Sequence, residues 1–218
     1  MERLARKLAS NISRSLDYDD EKERVIAYGL IAMIQVAVTV ILVFAIGLIV
    51  GAPVEALIIC FSVSILRKYS GGAHAGTIEE CTSISVIYCV AFALMSRRLL
   101  LPVLNTYSML TIVIIVYLLS YTAIFKLAPV DSPNKPIKTD KKKRRMRKGS
   151  LITLSVYFVL SILFLLLSLK YFSISSLGTS LLFGIAWQII TLTKFGIYFL
   201  TKIDSAVNII FRNRKEVD

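Results

Sequence analysis

Long apolar runs separated by short polar breaks dominate this chain. From Gly29 to Val50 every residue is apolar except Gln35 and Thr39, and at about 1.5 Å per residue such a helix crosses a hydrocarbon layer of about 30 Å. After Gly51-Ala52-Pro53, the run from Val54 to Leu66 is short, roughly 20 Å as a helix. It predicts either a tilted crossing lengthened by snorkelling Arg67 and Lys68 or a re-entrant half-span. Residues 78 to 101, interrupted by Arg97-Arg98, then Tyr107 to Ala128, Leu151 to Leu169 and Leu177 to Leu200 supply four further segments. Near the N-terminus, Leu4, Leu8, Ile12 and Leu16 recur four apart among Arg3, Arg6, Lys7 and Arg14, the pattern of an amphipathic helix lying on a membrane surface. The acidic run Asp17 to Glu23 is expected to end it. The predicted fold is all-α: a polytopic integral membrane protein with about six membrane segments, one short or re-entrant, and an N-terminal interfacial helix, in one domain over residues 1–218.

Composition agrees, with 56% hydrophobic and 18% charged residues and a mean hydropathy of +0.71, well outside the soluble range. The N-terminal segment before Gly29 carries six acidic and six basic residues, unlike a cleavable signal peptide, so the first span is expected to persist. The net charge of +12 is concentrated: six Lys and Arg before residue 28, two in 67–83, two at 97–98, ten in 126–149, one at 170 and five from 194 onward. If the chain starts in the cytoplasm and crosses six times, both termini, residues 67–83 and residues 126–149 lie inside, and Arg97, Arg98 and Lys170 outside. This predicts a multi-pass cell-membrane protein whose basic loops meet anionic lipid; no motif for nucleic acid accompanies them. Three widely spaced cysteines and one histidine suggest neither a disulfide framework nor a metal site, and no cofactor is expected.

The candidate chemistry sits in a polar, glycine-rich break, Arg67-Lys-Tyr-Ser-Gly-Gly-Ala-His-Ala-Gly-Thr-Ile-Glu-Glu-Cys81. His74, the single histidine, is the side chain suited to take a proton near neutral pH, and Cys81 attacks a carbonyl as thiolate. On one continuous helix their Cα atoms would stand about 10.5 Å apart, too far for a hydrogen bond. Gly71, Gly72 and Gly76 offer a bend, and Thr77-Ile-Glu-Glu80 matches a capping box that starts a helix at Ile78. Cys81 then falls in a first turn, where exposed N–H groups favour a thiolate and Glu79 and Glu80 oppose it. Either glutamate could orient His74, although both are more simply helix N-terminal acids. A loop histidine and a small buried cysteine are the alternative, and the residues alone leave the two readings balanced.

Gly71-Gly72-Ala73-His74, followed after six residues by Cys81, resembles the core of the accessory gene regulator protein B (AgrB) family of membrane cysteine peptidases, which process quorum-sensing peptide precursors. Ala128-Pro-Val-Asp-Ser-Pro-Asn-Lys-Pro-Ile137 is similar to the family's second recurring segment, and chain length, span pattern and basic loop agree. The resemblance implies that residues 1–218 form a membrane peptidase domain with His74 and Cys81 catalytic. The substrate it implies is a small AgrD-like precursor with an amphipathic helix, an internal nucleophile and an acidic tail. The tail is cut off, the remainder is held as a thioester, and transfer to the precursor's own Cys or Ser gives a thiolactone or lactone. A homo-oligomer such as a dimer is also expected.

Lys141, Lys142, Lys143, Arg144 and Arg145, followed by Arg147 and Lys148, are on this reading a dock for the acidic tail. Their ordinary role is a topology anchor beside anionic lipid, and the two are compatible. Asp131 to Pro136 predicts a stiff exit linker, and the resemblance implies that it borders the site. Gln35, Glu55 and Gln188 are polar groups at membrane depth that interhelical hydrogen bonding would explain without chemistry. Gly47 and Gly51 read more as a helix stop than as a packing pair. The main rival is a six-span transporter or substrate-binding subunit without catalysis; a non-enzymatic scaffold with a polybasic arm is a third reading.

Overall fold

A computed structural model describes residues 2–72, 77–103, 105–130, 139–199 and 201–202. The chain forms two compact units, Met1–Leu42 and Val43–Asp218.

In the first unit, helix α1 spans Glu2–Ser15 and leaves Leu4, Leu8, Ile12 and Leu16 exposed, the predicted apolar stripe. It stops where expected, with Asp17 in a left-handed conformation at φ 52°. The acidic run also starts the next helix. The Lys22 N–H donates to Asp19 Oδ1 at 2.9 Å, and Asp20, Glu21 and Glu23 occupy the first turn of α2, Asp20–Val50, where negative charge meets the positive dipole end. Helix therefore begins well before the apolar run.

In the second unit α2 ends at a tight corner. Gly51 has φ 78°, and a Cβ on Gly47 would lie 2.9 Å from Pro53 Cα, so Gly47 permits a close approach of backbones as well as preceding the stop. Helix α3, Pro53–Ser70, is longer than its apolar run because Arg67, Lys68, Tyr69 and Ser70 continue it; at about 1.5 Å per residue it is roughly 27 Å long. Helix α4, Ile78–Leu94, passes into a π-helical turn over Met95–Leu100. Helix α5 is Thr106–Leu127, α6 Asp140–Ser168 and α7 Ser175–Leu192.

Among the described residues five stretches are long and apolar enough to cross a membrane: Asp20–Val50, Ile78–Leu100, Thr106–Leu127, Asp140–Ser168 and Phe172–Leu192. The sixth, α3, carries Glu55, Arg67 and Lys68, yet it runs beside α7 along its length. Ser176 Oγ donates to Glu55 Oε1 at 2.9 Å near the start of α3, and Gln188 Nε2 donates to Ser70 Oγ at 2.9 Å at its end. Midway, a Cβ on Gly184 would collide with Ser62. The short segment thus runs parallel to α7 along its whole length and is not a re-entrant hairpin. Small residues permit the contact, as is usual between membrane helices.

The core of this unit joins α3, α5, α6 and α7 through Leu66, Val113, Tyr117, Leu154, Tyr157 and Ile185. Buried hydroxyls find partners across helices: Tyr117 with Ser161 at 2.9 Å and Tyr157 to the Ser62 carbonyl at 3.1 Å. Exposed Ile112, Ile114, Ile115, Leu118 and Leu119 on α5 suit contact with lipid. Chain connectivity gives this unit two ends. One gathers the ends of α3, α5 and α7 and the starts of α4 and α6; the other holds Glu55, Arg97 and Ser176.

Two elements differ from the sequence reading. The polybasic run is helical: Asp140 opens α6 and Lys141 to Lys148 form its first turns, because Lys and Arg are good helix formers and an acid stands at the positive dipole end. The last apolar stretch does not continue to Leu200. Thr193 turns extended, with φ −85° and ψ 157°, and its Oγ1 accepts from the Gly196 N–H at 3.1 Å, capping a new helical turn.

Candidate functional site

Cys81 is positioned by the helix start that precedes it. Thr77 is extended at φ −118°, ψ 160°, and the reciprocal capping box is formed. Thr77 Oγ1 accepts from the Glu80 N–H at 3.2 Å, and Glu80 Oε2 accepts from the Thr77 N–H at 3.0 Å. The carboxylate of Glu80 is thereby engaged at the cap. Cys81 follows, half-buried, with its N–H bonded to the Thr77 carbonyl at 3.1 Å. The sulfur stands one turn from the helix origin, as the Thr77-to-Glu80 motif implied. His74 lies outside the described residues, as do residues 131–138.

The backbone leading toward His74 is held on three sides. Gly71 has φ 69° and Gly72 φ 131°, conformations open to glycine. Gly71 forms a parallel β-bridge with Val130, the Val130 N–H donates to the Ser70 carbonyl at 2.9 Å, and a Cβ on Gly71 would collide with the Val130 carbonyl oxygen. From α7, Gln188 Nε2 donates to the Gly71 carbonyl at 2.7 Å, while a Cβ on Gly72 would lie 2.8 Å from Thr191 Oγ1. From α6, Arg147 Nε donates to the Ala128 carbonyl at 2.7 Å, and a Cβ on Gly149 would lie 2.5 Å from Tyr69 Cδ1. Ala128-Pro129-Val130, at the head of the second recurring segment, is therefore built directly onto the glycine arm. Its Ala128–Pro129 bond is cis.

Sequence reasoning missed three of these residues. Arg67, partly buried one turn before Gly71, interacts electrostatically with Cys81; it had been read only as a snorkelling cation. Arg147 had been counted with the basic run, but its guanidinium serves the Ala128 carbonyl. Gln188 had been assigned to interhelical bonding, and it does reach α3, but its amide also meets the backbone of the arm. The available signal was its place as the lone amide among the apolar residues of α7.

Lys141, Lys142, Lys143, Arg144 and Arg145 are exposed along the first turns of α6, and farther along that helix Arg147 and Gly149 touch the site. Glu55, fifteen residues before Ser70 and thus roughly 22 Å away along the helix, is no part of it. It is bonded to Arg97 and Ser176. All three cysteines are free thiols; the buried Cys60 of α3 and Cys89 of α4 lie close enough to interact. Among the described residues no cluster of three His, Cys, Asp or Glu side chains could hold a metal ion.

The family model of Accessory gene regulator B matches residues 2–192. An AgrB-like protein of Clostridium perfringens strain SM101 is 40% identical over 210 residues, covering 95% of this chain and 98% of its own. AgrB-like protein 2 of Clostridium perfringens strain 13 is 40% identical over 212 residues with the same coverage. An AgrB-like protein of Halalkalibacterium halodurans is 28% identical over 163 residues, covering 75% of this chain and 78% of its own. No solved structure matches. A family match across nearly the whole chain, joined to relatives aligned end to end and an all-helical membrane fold, establishes that this chain belongs to the accessory gene regulator B family of quorum-sensing membrane proteins.

Proposed function

We propose that this protein is a membrane cysteine endopeptidase that removes the C-terminal tail of a small quorum-sensing precursor and supports cyclisation of the remainder. The observation that carries the reading is the seating of Cys81 in the first turn of α4, one residue past a formed capping box, at the end of a glycine arm clamped by three other elements. Arg67, one turn before the glycine arm, lies within electrostatic reach of Cys81.

In this reading His74 accepts the Cys81 proton. The thiolate attacks the scissile carbonyl, the C–N bond breaks, and the tail leaves as an amine carrying the proton delivered by the imidazolium. The acyl-enzyme thioester keeps much of the energy of the broken peptide bond. The precursor's own Cys or Ser then attacks it, forming the ring bond and releasing Cys81. A tethered nucleophile reaches the thioester at high effective concentration, so ring closure competes with hydrolysis.

The exposed cations Lys141, Lys142, Lys143, Arg144 and Arg145 capture the acidic tail of the precursor and also meet anionic lipid headgroups. Their clustering at the same end of the helices as Cys81, with Arg97, Arg98 and Lys170 at the other, supports a cytoplasmic site and cytoplasmic termini. The deciding experiment co-expresses the protein with a tagged precursor. Cys81→Ala and His74→Ala should each abolish tail release while the protein still inserts in the membrane; continued cleavage by Cys81→Ala would leave a non-catalytic transporter or binding subunit as the better reading.

A further inference from the structure

Gln188 is fully buried in α7 and spends both amide hydrogens at the end of α3: one on Ser70 Oγ at 2.9 Å, the other on the Gly71 carbonyl at 2.7 Å. The partners fix which way the amide points. The Gly71 carbonyl can only accept, so Nε2 must face it. Oε1 is left buried, with no donor among the described residues, although buried polar atoms are normally satisfied. A glutamine needed merely to join α3 to α7 could bond the Ser70 hydroxyl alone. This one reaches past the helix end to a glycine whose φ of 69° sets the direction of the chain three residues before His74.

We infer that Gln188 is a positioning residue of the peptidase: its buried amide fixes the Gly71 carbonyl and so sets the direction in which the Gly71-Gly72 arm leaves α3 toward the catalytic base. The two donors anchor the arm from α7, in addition to Val130, whose N–H holds the Ser70 carbonyl. The unspent Oε1 gives the clamp one further acceptor for a backbone N–H of the arm. Binding of the precursor tail does not involve Gln188, because the exposed cations lie on α6. Its loss therefore acts on the chemical step.

The inference rests on the peptidase reading, and the test separates the two. Gln188→Leu removes both donors and the acceptor; Gln188→Glu keeps the shape but replaces the amide donors. Full-length protein in detergent or nanodiscs is assayed with an acidic-tailed precursor peptide, and hydrogen exchange is followed by mass spectrometry over residues 67–77. Both variants are expected to lose about tenfold or more in kcat with KM within about twofold, and to exchange faster in 67–77 than in α5 or α6. Wild-type exchange in that segment would overturn the inference, as would faster exchange with unchanged kcat. So would a Gln188→Glu protein that matches wild type, because the amide donors would then be dispensable. Cleavage surviving Cys81→Ala would sink the peptidase reading alone, since the exchange measurement needs no catalysis.

Discussion

Glu55 is almost wholly buried, and both its carboxylate oxygens lie 3.3 Å from Nη1 of Arg97, a residue whose side chain is 49% exposed. The pair joins the first turn of α3 to the π-helical turn after α4, and Ser176 brings α7 to the same carboxylate. Glu55→Ala would strand the Ser176 hydroxyl and the arginine. Because Arg97 keeps contact with solvent, the loss is expected at about 1–3 kcal/mol and not at the larger cost of breaking a fully buried pair. A lower thermal midpoint in detergent, with tail release by the remaining folded protein unchanged, is the expected result.

Glycine substitutions should separate the arm from the rest of the chain. Gly71→Ala places a Cβ against the Val130 carbonyl oxygen at a positive φ and is expected to cost tail release about tenfold or more. At Gly29 a Cβ meets nothing within 4 Å, so Gly29→Ala should be neutral or slightly stabilising, by up to about 1 kcal/mol, in a helix. Steady-state kinetics of the two variants, at matched expression, checks the contrast.

The basic run should divide into two functional parts. Replacing Lys141, Lys142 and Lys143 with Gln is expected to raise KM for an acidic-tailed precursor several-fold, with kcat kept and the effect fading as salt rises, since exposed charges are screened over about 10 Å at 0.1 M salt. Arg147→Gln removes the donor to the Ala128 carbonyl, 2.7 Å away. It should lower kcat at every salt concentration. Kinetics at two ionic strengths distinguishes the classes, and a salt-sensitive KM effect at Arg147 would contradict the structural role.

Thr77→Ala removes the hydroxyl that accepts from the Glu80 N–H. Loss of such a cap costs about 1 kcal/mol, concentrated in the turn that carries Cys81. Hydrogen exchange over residues 78–82 should quicken while α7 stays protected.

The helical membrane fold and the start of α4 were legible because their signals are local. Apolar length sets a span, and Thr77 and Glu80, three apart, close their own hydrogen bonds. The extent of α3 was not legible, because Arg67 and Lys68 end its apolar run but not its helix, and its pairing with α7 depends on contacts more than a hundred residues apart, such as Ser70 with Gln188. The same distance hid the role of Arg147: a cation in a basic run gives no sign that one guanidinium turns inward. Val130 on Gly71 is likewise a tertiary contact, which the residues alone do not reveal and only the resemblance, by placing the second segment at the border of the site, suggests.

Helix α6 runs without interruption from Asp140 through its charged turns to Ser168, so its tip and shaft make a single stiff lever. Along that one element, the Arg147 hydrogen bond to the Ala128 carbonyl and the close approach of Gly149 to Tyr69 follow directly on the exposed cations. The charged tip of α6 and its contacts beside the glycine arm therefore share a single rigid rod.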